Sequence, residues 1–228
     1  EAVHDLTAPV KVQVVGPLTL AAHVELASGE RAISDHGARA DIAEALAESV
    51  RDHVMEIRRR LSGAERVVVQ IDEPSINAVL HGGVPTASGY RTYRAVDVQE
   101  ATRAWRSVVE AFDGPAVLHS CAPGFRFDLA QAAGFAGLSF DASLISTDDY
   151  DAIAEAIDRG TSVFLGVVPT TVPLAPARQY TDQLQRWWRD LGFPGSELAQ
   201  RVVALLHDRQ VAVGAHEIGN ARVTRRSQ

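Results

Sequence analysis

Short, almost wholly apolar runs alternate with amphipathic stretches along this chain, and that alternation constrains the fold more than any single motif. Val10-Lys11-Val12-Gln13-Val14-Val15 reads as a strand closed by Gly16-Pro17. Val67-Val68-Val69-Gln70-Ile71 reads as a second, stopped by Pro74. Further strands are expected at 116–119, 137–140 and 162–168, with a possible sixth at 202–206. A strand apolar on both sides of its pleat has to be covered on both faces, which is the mark of a parallel sheet dressed by helices.

Between these runs the apolar period lengthens to three or four. Asp35 can cap a helix running to about Leu61, with Ile42, Leu46, Val50, Val54, Ile57 and Leu61 forming one stripe. Helices are also expected over 98–112, 125–133, 149–157 and 181–191, the last burying Leu184, Trp187, Trp188 and Leu191. Residues 75–97 hold Gly82, Gly83, Pro85 and Gly89 and read as a long loop, a length typical of lids and binding loops. No GxGxxG or Walker-A loop follows any strand, so a nucleotide-binding sheet is disfavoured. The fold class is α/β, a (β/α)8 TIM-type barrel left incomplete, in one domain spanning 1–228 with an atypical tail over 204–228.

Composition narrows the function. The chain has 228 residues and a formal charge of −7, without the basic face that a nucleic-acid partner requires. The longest basic run, Arg58-Arg59-Arg60, ends a predicted helix, where cations complement the dipole and face water. No stretch has the apolar length of a membrane span, and no charged-then-apolar leader opens the sequence, so neither a membrane partner nor a secretory signal is expected. Cys121 is the only cysteine, which excludes an intrachain disulfide and fits a reducing, cytoplasmic setting. Lys11, the only lysine among many arginines, reads as GC-rich codon usage rather than function.

Three strand ends carry polar groups, and in parallel α/β folds chemistry sits just past the carboxyl ends of strands. The first is Gln70-Ile71-Asp72-Glu73-Pro74, where one acid can equally cap a helix or pair with an arginine. The second is His119-Ser120-Cys121. Residues i and i+2 share a strand face, so imidazole and thiol project together, a donor pair that suits zinc; a satisfied histidine beside a structural cysteine is the other reading. The third is Asp141, a possible oxygen donor or a helix cap.

Taken together these stretches resemble the C-terminal, catalytic barrel of cobalamin-independent methionine synthase, especially its short actinobacterial-type relatives. The stretches are VQVVGPLTLAAHVEL, DHGARADIAEALAE, VVVQIDEPS, VPTASGY, VLHSCAP, GLSFDASL, FLGVVPT and WWRDLGFP, spread over residues 9 to 203. The resemblance implies a zinc-dependent methyltransferase that carries a methyl group from a reduced folate to the thiol of homocysteine. It makes His119 and Cys121 the catalytic pair and, with Asp141, the metal ligands. Asp72 would grip the substrate's amino group, with Gln70 and Glu73 beside it as substrate-binding candidates. Glu73 is expected to point differently from Asp72 and to serve structure. The implied partners are small molecules, homocysteine or methionine and a methyl-folate.

The sequence departs from that family in three places. The longer enzymes carry glutamate where Asp141 stands. The family's first two βα units have no counterpart here. No cysteine follows the last strand; the chain reads ALLHDRQVAVGAHEIG, in which His207, His216 or Glu217 are substitute ligand candidates. A related thiol methyltransferase or decarboxylase barrel, or a non-catalytic barrel fragment, are the alternative readings.

Overall fold

The computed structural model describes residues 7–124, 126–168, 175–206 and 212–214. Its contacts divide the chain into two compact units that meet in sequence at Leu138 and Ser139. The elements of the first unit are β1 (Val10–Val15), α1 (Pro17–His23), α2 (His36–Arg60), β2 (Val67–Asp72), α3 (Ile76–His81), α4 (Val98–Val109), β3 (Ala116–Ser120) and α5 (Phe127–Ala133). β4 (Gly137–Asp141) crosses the division. The second unit continues with α6 (Tyr150–Asp158), β5 (Ser162–Val168), α7 (Ala177–Asp190), α8 (Leu198–Arg201), β6 (Val202–Leu206) and β7 (Ala212–Gly214).

In the first unit β1, β2 and β3 are parallel neighbours in chain order, each joined to the next by helices. In the second, β5 and β6 are likewise parallel. Parallel strands wound in chain order belong to an α/β fold of the incomplete TIM-barrel type. β7 departs from the pattern and pairs antiparallel with β6. No helix among the described residues is long and apolar enough to cross a membrane.

The register of the first unit sorts its side chains. Lys11, Gln13, Val15, Gln70, Asp72, Val117 and His119 lie on one face, because Gln13 pairs with Gln70, Val15 with Asp72, Gln70 with Val117 and Asp72 with His119. The opposite face carries Val69, Ile71, Ala116 and Leu118, all buried. Helices α1, α2 and α4 pack together. Asp35 caps α2, accepting from the Ala38 N–H at 2.8 Å. The expected α2 stripe is rotated slightly. Ala43, Ala47, Val50 and Val54 are its buried residues, while Ile42, Leu46 and Ile57 are half-buried, since the small side chains stand at the closest approach. Arg39 clamps α2 to α4 through Glu100, at 2.5 and 3.1 Å. At the end of α2, Arg59 and Arg60 face water and pair with Glu56, which holds that carboxyl down at about 2.

Two helices of the first unit were not legible in the sequence. α1 follows the predicted strand end at once, and no side chain of its own N-cap, Gly16, caps it. Its cap comes from β2. The carboxylate of Glu73, wholly buried, accepts from the N–H of Leu18 at 3.0 Å and from Thr19 N and Oγ1 at 2.7 and 2.6 Å. Trp105 Nε1 on α4 donates to the same carboxylate at 3.0 Å. Burial pushes the Glu73 pKa up, and these donors pull against it. The second helix, α3, lies within the predicted loop 75–97. It stops at Gly82, whose φ of +68° admits glycine readily. The rest of that segment is tied down by the Tyr93 N–H to Val84 O and Val96 N–H to Val79 O bonds, with Val84 and Val96 buried. Its tip stands out furthest, at Tyr90 with 93% exposure.

Gly16 makes the Glu73 anchor possible, since a Cβ there would lie 2.3 Å from the carboxyl carbon of Glu73. Gly16→Ala should therefore destabilise the chain by about 2–3 kcal/mol. In a Glu73→Ala background most of that cost should disappear, giving a coupling energy of about 2 kcal/mol in denaturant unfolding. Additive effects would show that the two positions do not meet.

Candidate active site

The pleat separates the two adjacent acids. Glu73 turns into the helix layer, and Asp72, half-buried, belongs to the opposite face. That face opens toward the carboxyl ends of the strands. Along β2 it passes from Gln70, wholly buried, to half-buried Asp72. Along β3 it passes from buried Val117 to half-buried His119, and exposed Cys121 follows the strand's last residue, Ser120. The backbone here is held on both sides, by Gly16 N–H to Asp72 O and by Glu73 N–H to His119 O, each 2.8 Å. Asp72 and His119 are thus fixed as register partners on neighbouring strands.

A polar chain runs across the same face. Lys11 Nζ donates to Gln70 Oε1 at 2.7 Å, and Gln70 Nε2 donates to Asp72 Oδ1 at 2.6 Å. Burial lowers the Lys11 pKa, and the Asp72 carboxylate opposes that shift. The sequence alone reads Lys11 as codon usage rather than function, although a lone cation inside the apolar run Val10–Val15 is the signal that marks it.

The loop after β3 is tethered from α3. Asn77 Nδ2 donates to Pro123 O, and Gly124, at φ +74°, leaves room for the amide, since a Cβ would stand 3.0 Å from it. Asp141 closes β4 and is 7% exposed; its Oδ1 accepts from the Ser143 N–H at 2.8 Å and caps the short turn Ala142–Leu144. Within the second unit Gly166 of β5 runs close to it, a Cβ there lying 3.6 Å from Asp141 Cα.

As a donor set, the imidazole of His119 at the end of β3 and the thiol of Cys121 just past it fit zinc by type. Among the described residues, no three histidine, cysteine or acidic side chains are grouped as a metal ion would hold them. His207, His216 and Glu217 lie outside the described residues.

The model of the cobalamin-independent synthase catalytic domain matches residues 3–191. The chain belongs to that family. No curated protein matches it. Among solved structures it is similar to the YdjI aldolase from Escherichia coli K12, at 12% identity and a TM-score of 0.35, over 90% of this chain and 67% of that one. The stretch that holds the site in this synthase-family chain, β2 through the loop after β3, lies wholly inside the matched region.

The Asn77 tether carries a prediction for that loop. Asn77→Ala should raise amide exchange at Ala122 and Gly124 by about tenfold, the loss of roughly 1 kcal/mol of local stability. Exchange within β3 should stay unchanged. Exchange rising equally across β3 would show a global rather than local effect.

Proposed function

We propose that the chain is a zinc-dependent methyltransferase of the methionine-synthase type, transferring a methyl group from a reduced folate to the thiol of homocysteine. One observation carries the reading beyond the family. Asp72 and His119 are register partners at the carboxyl ends of adjacent parallel strands, with Cys121 two residues on. The register supports a reading in which a carboxylate for the ammonium and an imidazole for the metal that holds the sulfur serve one bound amino acid from neighbouring strand ends.

His119 and Cys121 would hold the zinc. When bound, zinc would lower the pKa of the substrate thiol, so that a thiolate exists at neutral pH. Asp72 would hold the ammonium and thereby aim the sulfur, the proximity that turns two encounters into one. In the transfer the S–CH3 bond forms as the N5–CH3 bond of the folate breaks. The thiol proton is released, and the folate nitrogen takes up a proton. Gln70 would support Asp72. The small-molecule partners are thus homocysteine or methionine and a methyl-folate.

Asp72→Asn keeps the shape and removes the charge, and should weaken L-methionine or L-homocysteine binding by about 1.5–3 kcal/mol in calorimetric titration. Equal affinities would remove Asp72 from the site. For the metal, the parent chain grown with zinc should retain about one zinc by elemental analysis, and Cys121→Ser should lose it. Full retention by the variant would place the metal elsewhere.

A further inference from the structure

We propose that Lys11 is a positioning residue of the amino-acid subsite, fixing through Gln70 the orientation of the Asp72 carboxylate. The inference rests on the assignment of Asp72 to the substrate ammonium and adds a residue that the family match does not assign.

The argument is one of donors and acceptors. An ammonium has only hydrogens to offer, and a glutamine amide has one oxygen and one NH2. With Lys11 Nζ on Oε1 at 2.7 Å, the NH2 of Gln70 is left to face Asp72, which it does at 2.6 Å. Gln70 is wholly buried, so it cannot satisfy either end in water. Turned over, its Oε1 would stand against a carboxylate oxygen, two acceptors in contact. Lys11 makes that turn unfavourable. With Oδ1 of Asp72 engaged, Oδ2 is the oxygen available to an ammonium group.

The geometry also explains why a lysine so near the site does not defeat it. A cation bonded directly to Asp72 would compete with the substrate's own ammonium. The neutral amide between them passes on the orientation while engaging only Oδ1 of the carboxylate and adding no positive charge beside it. Lys11 is in register with Val68, so Gln70 is its diagonal neighbour one step toward the carboxyl end. A long side chain spans that diagonal and a short one does not.

The test compares two ligands that differ only in the amine, L-methionine and 4-(methylthio)butanoate, titrated calorimetrically into the parent chain, Lys11→Met and Lys11→Arg. Lys11→Met should bind methionine about tenfold more weakly and the amine-free compound within about twofold of the parent, the loss expected for one charge-assisted contact. Lys11→Arg, which restores a cationic donor, should recover methionine binding. Unchanged methionine affinity in Lys11→Met overturns the inference, as does an equal loss for both ligands, which a merely structural role would give. If Lys11→Met fails to fold, Lys11→Gln, uncharged but still a donor, should show the same selective loss at smaller amplitude. A parent chain that binds no methionine removes the reading of Asp72 and this inference with it. A parent that binds methionine beside an unaffected Lys11→Met removes the inference alone.

Discussion

The buried carboxylate of Glu73 is the contact on which the first unit depends. Four hydrogen bonds converge on it from α1 and α4, while its own backbone extends β2 by donating to His119 O. A buried carboxylate is costly unless it is fully paired, and here the orphan N–H groups at a helix start supply the pairing that α1 cannot provide for itself. Removing any one party leaves the others unsatisfied in the interior, so strand, turn and two helices are specified together. The same anchor fixes the site. Neighbouring residues of a strand project to opposite faces, and a Glu73 locked into the helix layer commits Asp72 to the other side.

Adjacent acids in one short segment thus do different physical jobs, and each is set by its partners rather than by its chemistry. Glu73 meets donors on every side and no water. Asp72 meets one amide and remains half-open. The polar content of the Asp72 face is itself informative. A face meant only for packing would carry Val and Ile, as Val69 and Ile71 do on the other side. Lys11, Gln70 and Asp72 are instead bonded in series on one face that His119 shares, and Asp72 at its strand end is half-buried.

Much of this was readable beforehand because it is local. The strands at 10–15 and 162–168 have the predicted bounds, as apolar runs between Gly and Pro punctuation should. The Asp35 cap and the burial of Trp187 and Trp188 likewise follow from short-range pattern. What escaped reading is what depends on distant residues. α1 owes its start to a carboxylate more than fifty positions away, and α3 is too short for a period to show. The same holds for the candidate site. That Asp72 closes one strand and that His119 and Cys121 lie at the end of another could be read from each run's end, but the register that makes Asp72 and His119 neighbours is a property of the sheet. Lys11 joined them only through that register.

The end of the second unit shows how connection length decides topology. Five residues separate Leu206 from Ala212. A parallel return needs a crossover of a dozen residues or more, so a strand that follows this closely can pair with β6 only by reversing direction. The observed register, Val203 with Gly214 and Leu205 with Ala212, is that reversal. The cysteine that family resemblance expects after the last strand has no counterpart in this sequence, so metal binding at the proposed site would draw its only sulfur donor from Cys121. Thiolate is the donor that favours zinc over the harder divalent ions. The β3 end that would carry that selectivity is fixed at its Asp72 edge by β2, and the loop after it is tethered by Asn77.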